Sequence, residues 1–148
     1  MKSAIAILIL LTTILAGPLL AQPTADPTQE ILALERQAMD GWSKGDPDPV
    51  LAITDPQVTF IHDGIGVRLQ GLPALKALYD QYRGTPLFES YEIRNPLVQT
   101  IGDAAILTYL LAQHVGGSTR YWNGTEIFQR TKLGWRIVHS HWSTAKIP

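Results

Sequence analysis

The chain has 148 residues, 12 of them basic and 13 acidic, with a formal net charge of −1 and no cysteine. That balance offers no basic footprint for nucleic acid and no polybasic patch for an anionic membrane. Without cysteine there are no disulfides, no thiolate catalysis and no lipid attachment through an N-terminal cysteine, so the fold must be stable on its core alone.

Lys2, the apolar run Ala4 to Leu15, and Ala16-Gly17-Pro18-Leu19-Leu20-Ala21 read as a secretory signal over residues 1–21, cleaved after Ala21. The apolar run is about a dozen residues, short of the ~20 that span a bilayer. A secreted or periplasmic product is expected, with no stable membrane association after cleavage and, once Lys2 is removed, a formal charge of −2. Residues 22–27 are a Pro/Thr/Asp-rich lead-in, expected to be mobile, and residues 28–148 form one domain of ordinary size.

Asp26 or Thr28 can cap a first helix to about Ser43, in which Ile31, Leu34, Glu35, Ala38 and Trp42 recur at three- and four-residue spacing. Glu35 has two readings: a carboxylate at the stripe's edge reaching solvent, or a pocket acid. Asp46-Pro47 starts a second helix through Ile53, and Asp55-Pro56 breaks it. Val58 to His62 reads as a strand, Asp63-Gly64 as its turn and Gly66 to Leu69 as a short return. Gly71-Leu72-Pro73 opens a third helix, with Leu72, Leu75, Leu78, Tyr79 and Tyr82 on one side.

From Phe88 the period becomes two. Glu89 to Gln99 is a strand interrupted by Pro96, which marks an edge or a bulge. Ala104 to Val115 is a long apolar strand, Gly116-Gly117-Ser118 turns the chain, and Tyr121 to Thr131 and Trp135 to Ser143 close the meander as a hairpin around Lys132-Leu133-Gly134. Three helices followed by an antiparallel sheet make an α+β domain with its helices on one face.

Asp55-Pro56-Gln57-Val58-Thr59-Phe60, the later Leu69-Gln70-Gly71, and the ending Gly134-Trp135-Arg136-Ile137-Val138-His139-Ser140-His141-Trp142-Ser143 resemble SnoaL-like proteins and the association (hub) domain of calcium/calmodulin-dependent kinase II. Both belong to the nuclear transport factor 2-like superfamily. The resemblance covers about Gln29 to Ser143. It implies a cone-shaped, cystatin-like fold: a curved antiparallel sheet wrapped against three N-terminal helices, with a cavity at the wide end and a homodimer or larger homo-oligomer formed through the sheet's outer face. The hub domain lines its cavity with arginines, and the matching positions here hold Leu110, Glu126 and Trp142. That departure favours a neutral or cationic, partly aromatic ligand over an anion held by an arginine cluster.

Strand alternation then groups Trp122, Glu126 and Phe128 on one face, and Arg136, Val138, Ser140 and Trp142 on one face of the next strand. With Thr108 and Leu110 from the neighbouring strand they would form an aromatic box around one carboxylate. In such surroundings Glu126 would be tuned for acid–base work; the alternative is a structural ion pair with Arg120, Arg130 or Arg136. His139 and His141, two apart, are about 6.5–7 Å from each other on one strand face, a spacing metal ligands can use, but they fall opposite the box with Trp135 and Ile137. No metal site is expected. His62-Asp63 is an acid–base pair at the cavity mouth, or a turn aspartate beside a surface histidine. Gly64-x-Gly66 lacks the third glycine and following helix of a dinucleotide fingerprint, so no cofactor is expected.

The expected ligand is a small, largely apolar molecule. Trp42, Tyr109, Leu110, Trp122, Phe128 and Trp142 are the candidate binding residues, and His62, Asp63 and Glu126 the candidate catalytic residues. The expected function is ligand binding with self-association. The alternatives are a cofactor-free lyase or isomerase, with Tyr109 or Tyr121 stabilising an oxyanion, and a structural assembly domain.

Overall fold

The computed structural model describes residues 26–146, so the expected secretory signal and nearly all of the lead-in lie outside the described residues. Helix α1 runs Pro27–Trp42, with the Asp26 carboxylate accepting from the Thr28 N–H as its N-terminal cap. Helix α2 is Asp48–Ala52, and the Asp48 N–H donates to Asp46 Oδ1 at 2.9 Å. Strands β1 (Thr54–His62) and β2 (Leu69–Gln70), helix α3 (Leu72–Tyr79) and a 3-10 turn, Asp80–Tyr82, follow. The long strands are β3 (Ser90–Ile101), β4 (Ala104–Val115), β5 (Ser118–Thr131) and β6 (Gly134–Thr144).

The six strands form one curved open sheet in the order β2-β1-β6-β5-β4-β3. All neighbours are antiparallel except β1 and β6, which run parallel with Thr59 beside His139 and His62 beside Trp142. The chain's first strand is therefore locked onto its last. Asp55-Pro56 does not end the preceding segment as a simple break: β1 starts at Thr54, and the register shifts between Thr54 and Thr59 accommodate the proline. Pro96 sits in edge strand β3 at a register shift between Arg94 and Leu97, with Asn95 at φ 49°.

The core lies between α1 and the sheet's inner face. Ile31, Ala38, Leu107, Leu111, Phe128 and Ile137 are all at most 2% exposed. The start of α1 is pinned to the closing hairpin: Glu30 Oε2 accepts from Arg130 Nη2 at 2.9 Å and Trp135 Nε1 at 2.8 Å, and the Arg130 guanidinium lies 4.4 Å from the Trp135 ring centre. No helix among the described residues is long and apolar enough to cross a membrane.

One irregularity reassigns the faces of β6. Ile127 pairs with His139, but Phe128 pairs with Ile137, so β6 carries an extra residue at Val138. Beyond that bulge the alternation is inverted. Trp135 and Ile137 point inward with Ser140 and Trp142, contrary to the uninterrupted count that grouped them with His139 and His141.

Candidate functional site

A cavity of about 320 Å³ opens between α1, α3 and the inner face of the sheet. Its walls are mostly apolar: Met39 and Trp42 from α1, Phe60 from β1, Tyr79 from α3, and Trp122 and Trp142 from the closing hairpin. Aromatic edges set their positions. Tyr79 meets Trp42 at 4.8 Å and Phe60 at 5.8 Å between ring centres, both edge to face.

Two carboxyl groups reach the cavity from opposite sides. Glu35 comes from the apolar stripe of α1 and Glu126 from the middle of β5, opposite Leu107 and Ser140; they are 0% and 3% exposed. The solvent-edge reading of Glu35 is thereby overturned. So is the ion-pair reading of Glu126: Arg130 pairs with Glu30, Arg136 donates to the Trp135 carbonyl, and no cation pairs with Glu126 among the described residues.

A short relay fixes each carboxyl. Trp142 Nε1–H donates to Ser140 Oγ at 2.9 Å, and Ser140 Oγ–H donates to Glu126 Oε1 at 3.0 Å. The Tyr109 hydroxyl donates to Glu35 Oε1. Both Oε2 atoms are buried without a hydrogen-bond partner. Two ionised carboxylates in one buried site can only repel, and a bond between them forms only when one carries a proton. Burial, and then the charge of Glu35, push Glu126 well above the ordinary carboxylate range. Burial also raises Glu35, opposed by the neighbouring Glu126 carboxyl and by the hydrogen bond it accepts from Tyr109. Of the two, Glu126 is pushed up further and is the carboxyl that keeps its proton more firmly. Tyr79 and Tyr109 stay protonated, raised first by burial and then by these charges.

Gly124 makes this arrangement possible. A Cβ there would sit 3.0 Å from ring carbons of both Tyr109 and Trp142, which meet above it edge to face at 5.6 Å. Any side chain at 124 would part the two rings whose polar ends hold Glu35 and Ser140.

Among the sequence candidates, Glu126, His62, Trp42, Trp122 and Trp142 line the cavity. His62 Nδ1 accepts from the Gly64 N–H at 2.9 Å, leaving Nε2 as the protonated nitrogen, and burial lowers its pKa. Asp63 does not join it. Asp63 is exposed, and its Oδ2 accepts from the Thr144 N–H, which holds its carboxyl below the usual range. Leu110 and Thr108 lie on the outer face, because Tyr109 pairs with Gly124 and Leu107 with Glu126 on the inner one. Tyr121 also faces outward, with the Arg94 guanidinium 5.5 Å from its ring centre. Phe128 is 0% exposed in the core behind the cavity, and Tyr109 acts from behind the wall through its hydroxyl. His139 faces outward, with Nδ1 2.7 Å from Thr59 Oγ1, and no group of three or more metal-ligating side chains is found among the described residues. Glu35, Ser140 and Tyr79 complete the site. Their sequence signals were an acid on an apolar stripe, a serine two residues from a cavity tryptophan, and a tyrosine on the inward side of α3.

The chain is similar to several solved structures. A candidate ketosteroid isomerase from Parabacteroides distasonis is 25% identical, with a TM-score of 0.75 over 82% of this chain and 90% of that one. The CaMKII hub of S. rosetta is 26% identical, with a TM-score of 0.66 over 82% and 99%. An NTF2-like protein with a cystatin-like fold from Novosphingobium aromaticivorans is 20% identical, with a TM-score of 0.64 over 81% and 82%. No curated protein matches. The SnoaL-like domain matches residues 31–147, which is most of the chain and includes every residue of the cavity just described, so this chain belongs to the SnoaL-like family.

Proposed function

We propose that this domain binds a small, largely apolar carbonyl compound in its cone and moves a proton next to the carbonyl without a cofactor, as an isomerase or lyase does. The observation that carries this reading is the buried Glu35–Glu126 pair facing an apolar cavity, each carboxyl with one oxygen free of other partners. Removing two carboxyls from water costs several kcal/mol, roughly, that an aliphatic core would not spend. Pairing them separates their roles: a neutral acid that donates and a carboxylate that accepts. Glu35 takes a proton from the carbon beside the carbonyl. The Glu126 carboxyl and the Tyr79 hydroxyl donate to the oxygen as negative charge develops there, and the proton returns at a second carbon. The similarity to a candidate ketosteroid isomerase supports the same class of chemistry.

Deuterium uptake beside the carbonyl of apolar ketones in heavy water, followed by NMR, tests this. Exchange faster than in buffer is expected with the native chain. Glu35→Gln is expected to lower it by about 10²–10⁴-fold, the usual worth of a positioned base. No exchange across a broad ketone panel would remove the catalytic reading.

The outer face favours self-association as well. Ile106, Thr108, Leu110, Thr125 and Ile127 make an uncharged cross-strand patch at the sheet's centre, and similarity to a hub domain points the same way. Leu110→Asp is expected to halve the mass seen by light scattering at micromolar concentration while leaving the melting temperature within a few degrees. A native chain already monomeric there would contradict the interface. Export rests on residues 1–21 and is proposed from their composition alone.

A further inference from the structure

The deep wall of the cavity favours a neutral or cationic ligand, but the rim makes the opposite demand. Gln113 and Arg120 face each other across β4 and β5, both on the inner face and one step outward from the Leu111–Trp122 pair. Gln113 Oε1 already accepts from the Trp122 Nε1–H at 2.9 Å, which leaves its amide N–H groups as the unpartnered part of the side chain among the described residues. His62, also lining the cavity, has its Nδ1 occupied by the Gly64 N–H and offers Nε2–H. Arg120 has donors only and is exposed. Arg83, Arg94 and Arg130 pair with carboxylates, whereas Arg120 pairs with none among the described residues. Among the described residues no other cation lines the cavity. These three side chains therefore offer a ligand mainly donors.

We infer that the ligand is an amphiphilic carboxylic acid, with its apolar body between the aromatic walls, its inner polar group at Glu35 and Glu126, and its carboxylate at the rim on Arg120, Gln113 and His62. This deepens the proposed function and rests on the cavity being a ligand site. The two ends are chemically distinct: a shared proton inside, a ring of donors outside. Such a cavity orients a molecule end to end, so Arg120 and Gln113 determine which substrates enter productively. Arg120 alone, being exposed, is worth less than about fivefold in affinity. With two neighbouring donors to the same carboxylate the preference should reach about tenfold.

Calorimetric titration of the full chain with phenylbutanoate and with its methyl ester separates the possibilities, since the two share an apolar body and differ in charge. The acid is expected to bind about tenfold tighter, with the ratio falling as salt is raised. Arg120→Gln should lower the ratio to about two- to threefold, the share left to Gln113 and His62, and Arg120→Glu should lower it further by repelling the acid. Equal binding of acid and ester to the native chain, or a ratio unmoved by Arg120→Gln, overturns the carboxylate assignment and leaves the cavity reading standing. Binding of neither compound overturns both. Circular dichroism of each variant establishes that it is folded, and the ester titration in the same variant establishes that its cavity is intact.

Discussion

Glu126→Gln is expected to yield a chain that unfolds at a higher temperature above neutral pH and has lost its proton-transfer chemistry. The carboxyl of Glu126 is held protonated by burial and by the charge of Glu35, so its folded pKa lies well above its value of about 4.3 in the unfolded chain. Between those two values the folded state binds more protons than the unfolded state. Stability therefore falls as pH rises through that window, by up to about 1.4 kcal/mol per pH unit for one proton, and is greatest below the unfolded value. Glutamine keeps the shape, can still accept from Ser140, donates to Glu35 and cannot ionise. It is expected to stabilise by about 1–3 kcal/mol at pH 8, which raises the melting temperature by roughly 3–12 °C in a domain of this size. His62 and His139 act in the opposite sense: their lowered values add stability as pH rises toward about 6.5. The comparison should therefore be made as variant minus native above pH 7, by thermal melts followed in the near-ultraviolet. A Glu126→Gln chain that melts below the native one at pH 8 would show that the pair is not a buried acid sharing one proton. Exchange beside the carbonyl should drop by about 10²-fold or more in the same variant, a trade of activity for stability.

Phe128→Ala is expected to cost 3–5 kcal/mol, roughly a third or more of what holds a domain of this size together. The ring is 0% exposed, opposite Ala105 on β4 and Ile137 on β6, beside the bulge that sets the face of the last strand. The melting temperature should fall by roughly 12–20 °C. The ring lies behind the cavity wall, so the protein that remains folded at low temperature should bind phenylbutanoate as the native chain does. A loss of affinity in the folded variant, with little loss of stability, would return Phe128 to the wall.

Much of this architecture is written in local signals. The Asp26 cap, the stripe of α1, the interruption at Pro96 and the glycine turns between β3, β4 and β5 each follow from chemistry within a few residues. Facing was legible only where alternation ran undisturbed: Trp122 and Glu126 on β5 were placed inward from sequence, and they line the cavity. It failed at Val138, where an extra residue inverts the face of Trp135 and Ile137, since nothing in that apolar run marks a bulge. Leu110 was misplaced because its facing was carried over from the matching position in the hub domain. In a strand reading Leu107-Thr108-Tyr109-Leu110-Leu111 both faces are apolar enough, and a one-residue slip exchanges them. The partnership of Glu35 with Glu126 was not legible at all. It joins a helix near the start of the described chain to a strand near its end, and the register of β4, β5 and β6 sets the face from which Glu126 meets it. Asp63 illustrates the converse: a plausible partner for His62 by sequence, it is turned aside by the backbone N–H of Thr144.

The parallel contact of β1 with β6 also governs the order in which the molecule can be made. Glu35 and Phe60 are synthesised early, whereas Ser140 and Trp142, which hold Glu126 in place, come from the last strand. A nascent chain ending before Gly134 leaves one side of β1 without its neighbour and Glu126 without its relay. Contacts this distant in sequence form late and slowly. The cavity is thus a product of chain completion, and a stalled or C-terminally clipped copy carries an exposed β1 edge and no site, a form suited to disposal by proteases instead of partial activity.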